Sequence, residues 1–148
     1  MSNKIDLTGK IQLAIDGAYD RGCPLAIAYV DGEGKPSLSV RGSVHVRNSE
    51  QLGLWARSRD TGLARAIASN PSVSLIFFGP LPDGSKMLLT LRGRAHTDLA
   101  RNDEVYNGMS EVERKYDPEA KGVAVIVDVD TITGLTADGP FGQSRGAV

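Results

Sequence analysis

From Ser37 to Arg47 apolar and polar residues alternate without a break. Leu38, Val40, Gly42, Val44 and Val46 fall on one side, and Ser39, Arg41, Ser43, His45 and Arg47 on the other. This two-residue period predicts a long β-strand with one face on a core. The same period recurs at Leu52, Leu54 and Ala56 against Gly53, Trp55 and Arg57, and again from Met87 to His96. In that last stretch Met87, Leu89, Leu91, Gly93 and Ala95 share a side, opposed by Lys86, Thr90, Arg92, Arg94 and His96. Leu25–Val30 is apolar at every position and predicts a strand covered on both faces, while 73–78 and 123–129 predict two more apolar strands. Asp31-Gly32-Glu33-Gly34 is a turn signal that makes a hairpin of the first two strands.

Helical spacing appears in three places. Leu7, Ile11, Ala14, Ile15 and Ala18 predict an amphipathic helix, with Thr8 as cap and Gly22 as stop. Leu63, Ala66 and Ile67 predict a short helix that Asp60 or Thr61 can cap and that Asn70-Pro71 ends, because proline disfavours helical geometry in the residue before it. Asp98 can cap a helix running towards Gly108, Ser110 with Glu113 fits a capping box for another, and Asp117-Pro118 breaks the pattern. From Thr136 the residues read as a loose tail, disordered or reaching a neighbouring subunit. The sum is a mainly β, α+β chain. Six antiparallel strands form a small barrel or closed, curved sheet, flanked by short helices, in a single domain over 1–148 with residues 136–148 as its tail.

Charge sharpens this picture locally rather than overall. A net charge of −1 gives no bulk attraction to nucleic acid or an anionic membrane. Yet Arg41, Arg47, Arg57, Arg59 and Arg65 lie close together against only Glu50 and Asp60. Cys23 is the one cysteine, which excludes an internal disulfide and a cysteine-rich zinc site. With His45 and His96 as the only histidines and neither at ligand spacing to the other, no metal site is expected. No stretch is long and apolar enough to span a bilayer, and MSNKIDLTGK lacks the apolar core of a signal peptide, so a cytoplasmic location is expected.

The chemistry concentrates in Gln51–Pro71. Between strand and helix, Arg57-Ser58-Arg59-Asp60-Thr61-Gly62 gathers two guanidiniums, two hydroxyls and a helix N-terminus. Free N–H groups and the positive end of the helix dipole make such a place suited to anions. The turn is therefore either a solvated, capped helix start or a phosphate site. Likewise the polar side of 37–47 either meets water or lines a cleft. Trp55 either fills a core gap or flanks a planar ligand, on the face it shares with Arg57.

These segments resemble the pyridoxamine 5′-phosphate oxidase-like proteins, the FMN-binding split β-barrels. The residues that carry the resemblance are Leu52-Gly53-Leu54-Trp55-Ala56-Arg57, the helix from Gly62 to Ile67, the Asn70-Pro71 stop with the strand Val73 to Ile76, and Leu91-Arg92-Gly93-Arg94-Ala95. The resemblance implies a homodimer holding two flavin mononucleotides at the subunit interface. The ring would lie along the strand 40–45, with Trp55 and Ala56 flanking it and the phosphate in the turn that follows. Carried over position by position, the cofactor-binding residues are Arg41, Ser43, Val44, Trp55, Ala56, Arg57, Ser58, Arg59, Thr61 and Gly62. The pattern departs from the family where Thr61-Gly62 stands in place of a basic pair and the arginines come earlier. That leaves coenzyme F420, a deazaflavin, as an alternative to FMN. No residues matching a pyridoxal phosphate substrate are present. The function implied is a flavin-dependent oxidoreductase acting on an unspecified small molecule. The alternatives are an F420-dependent reductase of the same fold, a non-catalytic flavin-binding protein, or a plain β-barrel interaction protein. No acid/base dyad, triad or metal cluster is evident, and flavin redox chemistry does not require one.

Overall fold

The alternating stretches fold into one antiparallel sheet of eight strands in the computed structural model, which describes residues 2–146. In chain order they are β1 (Leu25–Val30), β2 (Pro36–Arg41), β3 (His45–Val46), β4 (Gln51–Ala56), β5 (Ser72–Pro80), β6 (Lys86–Thr97), β7 (Val123–Thr136) and β8 (Gly139–Ser144). Their spatial order is β2-β1-β5-β6-β7-β4-β3, with β8 added along the far half of β7. β2 and β3 therefore stand at opposite ends of the sheet, yet only residues 42–44 separate them in the chain. A link that short forces the two ends together, so the sheet curls on itself as a split β-barrel.

The inner face of the curl is the core. Ile27, Leu52, Leu54, Leu75, Phe77, Leu89, Leu91, Val125 and Val127 are almost wholly buried there. Two short helices close it, α1 (Lys10–Ile15) through Ile11, Ala14 and Ile15, and α2 (Gly62–Ser69) through Leu63, Ala64, Ala66 and Ile67. Between β6 and β7 runs a helical insert. A 3₁₀ turn is capped by Asp98 and leads into α3 (Asn102–Gly108), and α4 (Glu111–Arg114) follows, with Ser110 Oγ accepting from Glu113 N as the capping box predicts. No helix among the described residues is long and apolar enough to cross a membrane.

Several sequence expectations are corrected. The strand predicted over 37–47 is two strands, and the side on which its apolar residues lie changes between them. Leu38 and Val40 are exposed whereas Val44 and Val46 are buried. Before Gly42 the chain pairs with β1, and after Val44 it pairs with β4 at the other end of the sheet. The sequence parity continues across the bend while the meaning of "inside" does not. Leu25–Val30 is covered on one face only: Leu25 and Ile27 are buried, Ala26 and Ala28 are not. The tail from Thr136 is not loose over 139–144, where β8 pairs with β7 and Ser144 N donates to Ser2 O; residues 147–148 lie outside those described. Thr8 does not cap α1. Its hydroxyl and N–H both bind Asp6 Oδ1, and Gly9 holds the cap position.

The outer face of the sheet keeps an apolar area. Val40, Ala26 and Ile76 form one cross-strand row, and Phe78, Leu88 and Leu135 form another. Leu38 is 73% exposed and Phe78 67%.

A register shift at Arg92/Gly93 helps to bend the sheet, since Gly93 faces Val129, Arg92 faces Thr131, and Asp130 is the extra residue. A Cβ at position 93 would lie 2.1 Å from the Asp128 carbonyl oxygen. Gly93→Ala should lower stability by about 1–3 kcal/mol, the usual cost of overpacking. A urea midpoint equal to that of the unsubstituted protein would show that the bulge does not need glycine.

Candidate functional site

The bend that closes the sheet places three segments side by side. β2 ends in Arg41, β4 ends in Trp55-Ala56 and leads into Arg57, and the turn 58–61 feeds α2. The link between them is anchored from inside. Ser43 is buried, and its Oγ accepts a hydrogen bond from Trp55 N at 2.9 Å. This bond stands in for a ladder contact that the broken strand cannot supply.

Two cavities adjoin along this junction. The first, 250 Å³, is lined by Arg41, Ala56, Arg57, Ser58, Thr61, Gly62 and Leu63. The second, 340 Å³, is lined by Tyr19, Ser39, Val40, Arg41, Gly42, Ser43, Trp55, Arg57, Glu113 and Tyr116. Arg41 and Arg57 border both, so the pair reads as one groove with a cationic waist. Of the residues named from the sequence, Arg41, Ser43, Trp55, Ala56, Arg57, Ser58, Thr61 and Gly62 are brought together here. Two are not. Val44 is buried in the core and lines, with His45, a further 170 Å³ cavity that shares Tyr19, Gly42 and Ser43 with the second, and Arg59 lines neither part of the groove. Arg59 Nε instead donates to the Gly122 carbonyl at 2.7 Å.

The turn is organised around Ser58. Its Oγ accepts from Thr61 Oγ1 at 2.7 Å, Thr61 N at 3.2 Å and Asp60 N at 3.3 Å. Thr61 occupies the N-cap of α2 but its side chain makes no bond to the helix, contrary to the expected capping role. The first N–H groups of α2 thus keep their capacity to donate. Among the described residues neither Arg41, Arg57 nor Arg59 forms an ion pair with a carboxylate. Arg41 Nε donates to Ser39 Oγ at 3.2 Å, and the Arg57 guanidinium lies over the Tyr116 ring, 4.8 Å from its centroid. Three guanidiniums left unneutralised beside a helix start form an anion-attracting surface.

The other wall comes from parts of the chain that no sequence pattern marked as a site. Tyr19 precedes β1, and Glu113 and Tyr116 come from the helical insert. Gly42 is the floor beneath them, because a Cβ there would lie 2.0 Å from Glu113 Oε1 and 2.4 Å from Tyr19 Cδ2. The close approach at Gly42 is made by the protein's own side chains. Tyr116 raises the Tyr19 phenol above its ordinary value, with the charges of Glu113 and Asp20 adding to the effect.

Behind the groove, Trp55 is buried in a second small core with Val105, Met109, Ala124 and Ile126, edge-on to Tyr106 at 5.2 Å. Its Nε1 donates to Asp117 Oδ2 at 2.8 Å. Burial pushes the Asp117 carboxyl up, but bonds from Trp55, Lys121 N and Gly122 N outweigh that and hold it below the usual carboxylate range. The sequence offered Asp117 only as half of a helix-breaking Asp-Pro pair. Its main partner lies 62 residues away, a distance that no local pattern spans.

No family model matches the chain, and no curated protein matches it either. Solved structures do. An FMN-binding protein from Syntrophomonas wolfei superposes with a TM-score of 0.62 at 12% identity, over 83% of this chain and 84% of that one. A protein of the pyridoxinephosphate oxidase family from Clostridium acetobutylicum, related to general stress protein 26, gives a TM-score of 0.59 at 12% identity, over 93% and 96%. The chain has the split-barrel fold of the pyridoxamine 5′-phosphate oxidase-like proteins. A heme binding protein from Mycobacterium smegmatis shares it too, with a TM-score of 0.62 at 15% identity, over 93% of this chain and 59% of that one. At such identities the fold is what is shared, and the split barrel carries more than one kind of prosthetic group.

The lowered Asp117 carboxyl has a signed consequence. Its ionised form is favoured by folding, so its contribution is fully present above the ordinary carboxylate range and is lost as pH falls through the depressed value. Stability measured by urea unfolding should fall less steeply on acidification in Asp117→Asn than in the unsubstituted protein. Parallel acid profiles for the two would refute this role.

Proposed function

We propose that this chain binds a phosphate-bearing flavin, FMN, in the groove at the closure of the sheet and serves as a flavin-dependent oxidoreductase. What carries the proposal is the convergence of Arg41, Arg57, Ser58, Thr61 and the start of α2 on one cavity that adjoins the cavity bordered by Trp55. The donor set fits the group. Guanidiniums supply paired, charge-assisted donors matched to a phosphate, and hydroxyls and backbone N–H groups complete the shell. The neighbouring cavity, lined by Tyr116, Trp55 and residues 41–43, offers an aromatic ring and polar neighbours to a planar ring.

When bound, the flavin supplies the redox chemistry, accepting or donating a hydride. The chain's own part is to hold the phosphate end through Arg41, Arg57, Ser58 and Thr61, and to order the ring end through Trp55 and Ser43. It also keeps water from the inner wall through the buried Trp55 cluster. Glu113 and the phenols of Tyr19 and Tyr116 are titratable side chains on that wall. His45 and Tyr29 stand apart from it. His45 Nδ1 is bonded to Ser43 O at 2.9 Å, and Tyr29 borders a separate 510 Å³ groove on the outer sheet face.

We also propose that two copies associate through the outer sheet face. Leu38, Val40, Ile76, Phe78 and Leu135 are exposed there in adjoining rows, an arrangement that a soluble chain normally covers.

Three measurements test these proposals. The absorption spectrum of the purified protein, with and without added cofactor, separates flavin from the deazaflavin F420 and from heme. Uptake of neither flavin nor deazaflavin sinks the function proposed. Arg57→Ala should weaken FMN roughly 10- to 100-fold, the loss of a charged hydrogen bond, and riboflavin much less. Equal loss for both ligands would remove Arg57 from the phosphate. For association, Val40→Lys with Phe78→Lys should convert a dimer to a monomer in analytical ultracentrifugation. A sedimentation coefficient unaffected by the pair would place the interface elsewhere.

A further inference from the structure

Asp117 borders neither part of the groove, yet it is bonded to Trp55, which does, and to the loop that braces the end of β4. It is buried, 9% exposed, and its Oδ2 accepts from Trp55 Nε1 and from Gly122 N, each at 2.8 Å. Its Oδ1 accepts from Lys121 N at 3.0 Å. Its own carbonyl accepts from the Tyr106 hydroxyl at 2.9 Å, and Tyr106 is the ring packed edge-on to Trp55. A buried carboxylate is costly unless donors converge on it. Here three do, and two of them belong to the backbone of one tight loop.

That loop in turn braces the end of β4. A Cβ on Gly122 would lie 2.1 Å from the Ala56 carbonyl oxygen, 2.7 Å from Trp55 Nε1 and 2.9 Å from Arg57 Cα. Gly122 therefore sits directly against the strand end that carries Trp55, Ala56 and Arg57. The same residue's carbonyl accepts from Arg59 Nε at 2.7 Å. One carboxylate thus fixes the indole on one side and, through Gly122, a guanidinium of the cationic turn on the other.

We propose that Asp117 is the positioning residue of the anion site, holding the loop 117–122 so that its Gly122 carbonyl sets Arg59, and with it the turn after Arg57, for a phosphate-bearing ligand. The proposal rests on the phosphate reading of that turn and adds a residue that acts on it without touching the ligand. Lost hydrogen bonds to a carboxylate relax the loop and release Arg59 from its fixed Nε contact. The cost appears in the phosphate's share of binding, because the turn that carries Ser58 and Thr61, no longer braced through Arg59, must then be ordered when ligand arrives.

The measurement is the ratio of FMN affinity to riboflavin affinity, which cancels any effect on the ring through Trp55. It is taken for the unsubstituted protein, Asp117→Asn, Arg59→Ala and the double substitution. The ratio should fall about tenfold in each single variant, the loss of one charged bond, and no further in the double. A ratio unaffected by Asp117→Asn, or single losses that multiply in the double, overturns the positioning role. An unsubstituted protein with no preference for FMN over riboflavin fails the phosphate reading itself, a result distinct from either. Should Asp117→Asn not fold, Asp117→Glu carries the same measurement, since it keeps the charge but displaces its oxygens. The ratio is expected to fall there too, and an unchanged one counts against the proposal.

Discussion

The closure of the sheet by residues 42–44 governs everything that follows. β2 and β3 lie at opposite ends of the strand order, and a link that short keeps the ends within about 14 Å of each other. Closure of a curled sheet normally leaves unpaired backbone at the join, which must find partners. Ser43 provides one from within, its buried hydroxyl accepting from Trp55 N. Gly42 allows the chain to pass beneath Glu113 and Tyr19, both of which a side chain at this position would displace. The same join is where strand ends, a turn and a helix start meet. A groove at this place is thus a consequence of how the barrel closes, and polar residues gather where the ladder stops.

Much of this was legible in the sequence, for reasons that particular residues make plain. β4 and α2 obey strong local rules. Alternation from Leu52 to Ala56, a polar turn, an apolar helical face and the Asn70-Pro71 stop each depend on neighbours a few positions away. The cationic turn was legible because its residues are contiguous, and Arg41 because the resemblance carried a strand position to it. The split strand was not. Leu38, Val40, Val44 and Val46 keep one parity in the sequence while the fold turns the first two outward and the last two inward. Periodicity records which residues share a side, never which strand lies beside them. β8 was missed because Gly139–Ser144 carries one large apolar side chain and pairs at an edge through backbone alone. Asp117 was missed because its partners come from β4 and from its own loop, and a carboxylate before proline has an adequate local explanation already.

Arg57 faces two apparent demands, since it lies against Tyr116 and is also asked to hold a phosphate. The demands do not compete. A guanidinium stacks through its flat face and donates hydrogen bonds from its edge, in the plane. Tyr116 over the face removes side-chain freedom from a long, exposed arginine before any ligand arrives, which lowers the cost of ordering it on binding. A lysine here would have neither the planar face nor the fork, and its stem would have to be immobilised by the ligand itself. The helical insert that supplies Tyr116 and Glu113, and through its following loop Asp117, therefore belongs to the site as much as the barrel does. The barrel brings Arg41, Ser43 and Arg57 to one place, and the insert fixes the indole and the Arg57 guanidinium there, as the anion site proposed above requires.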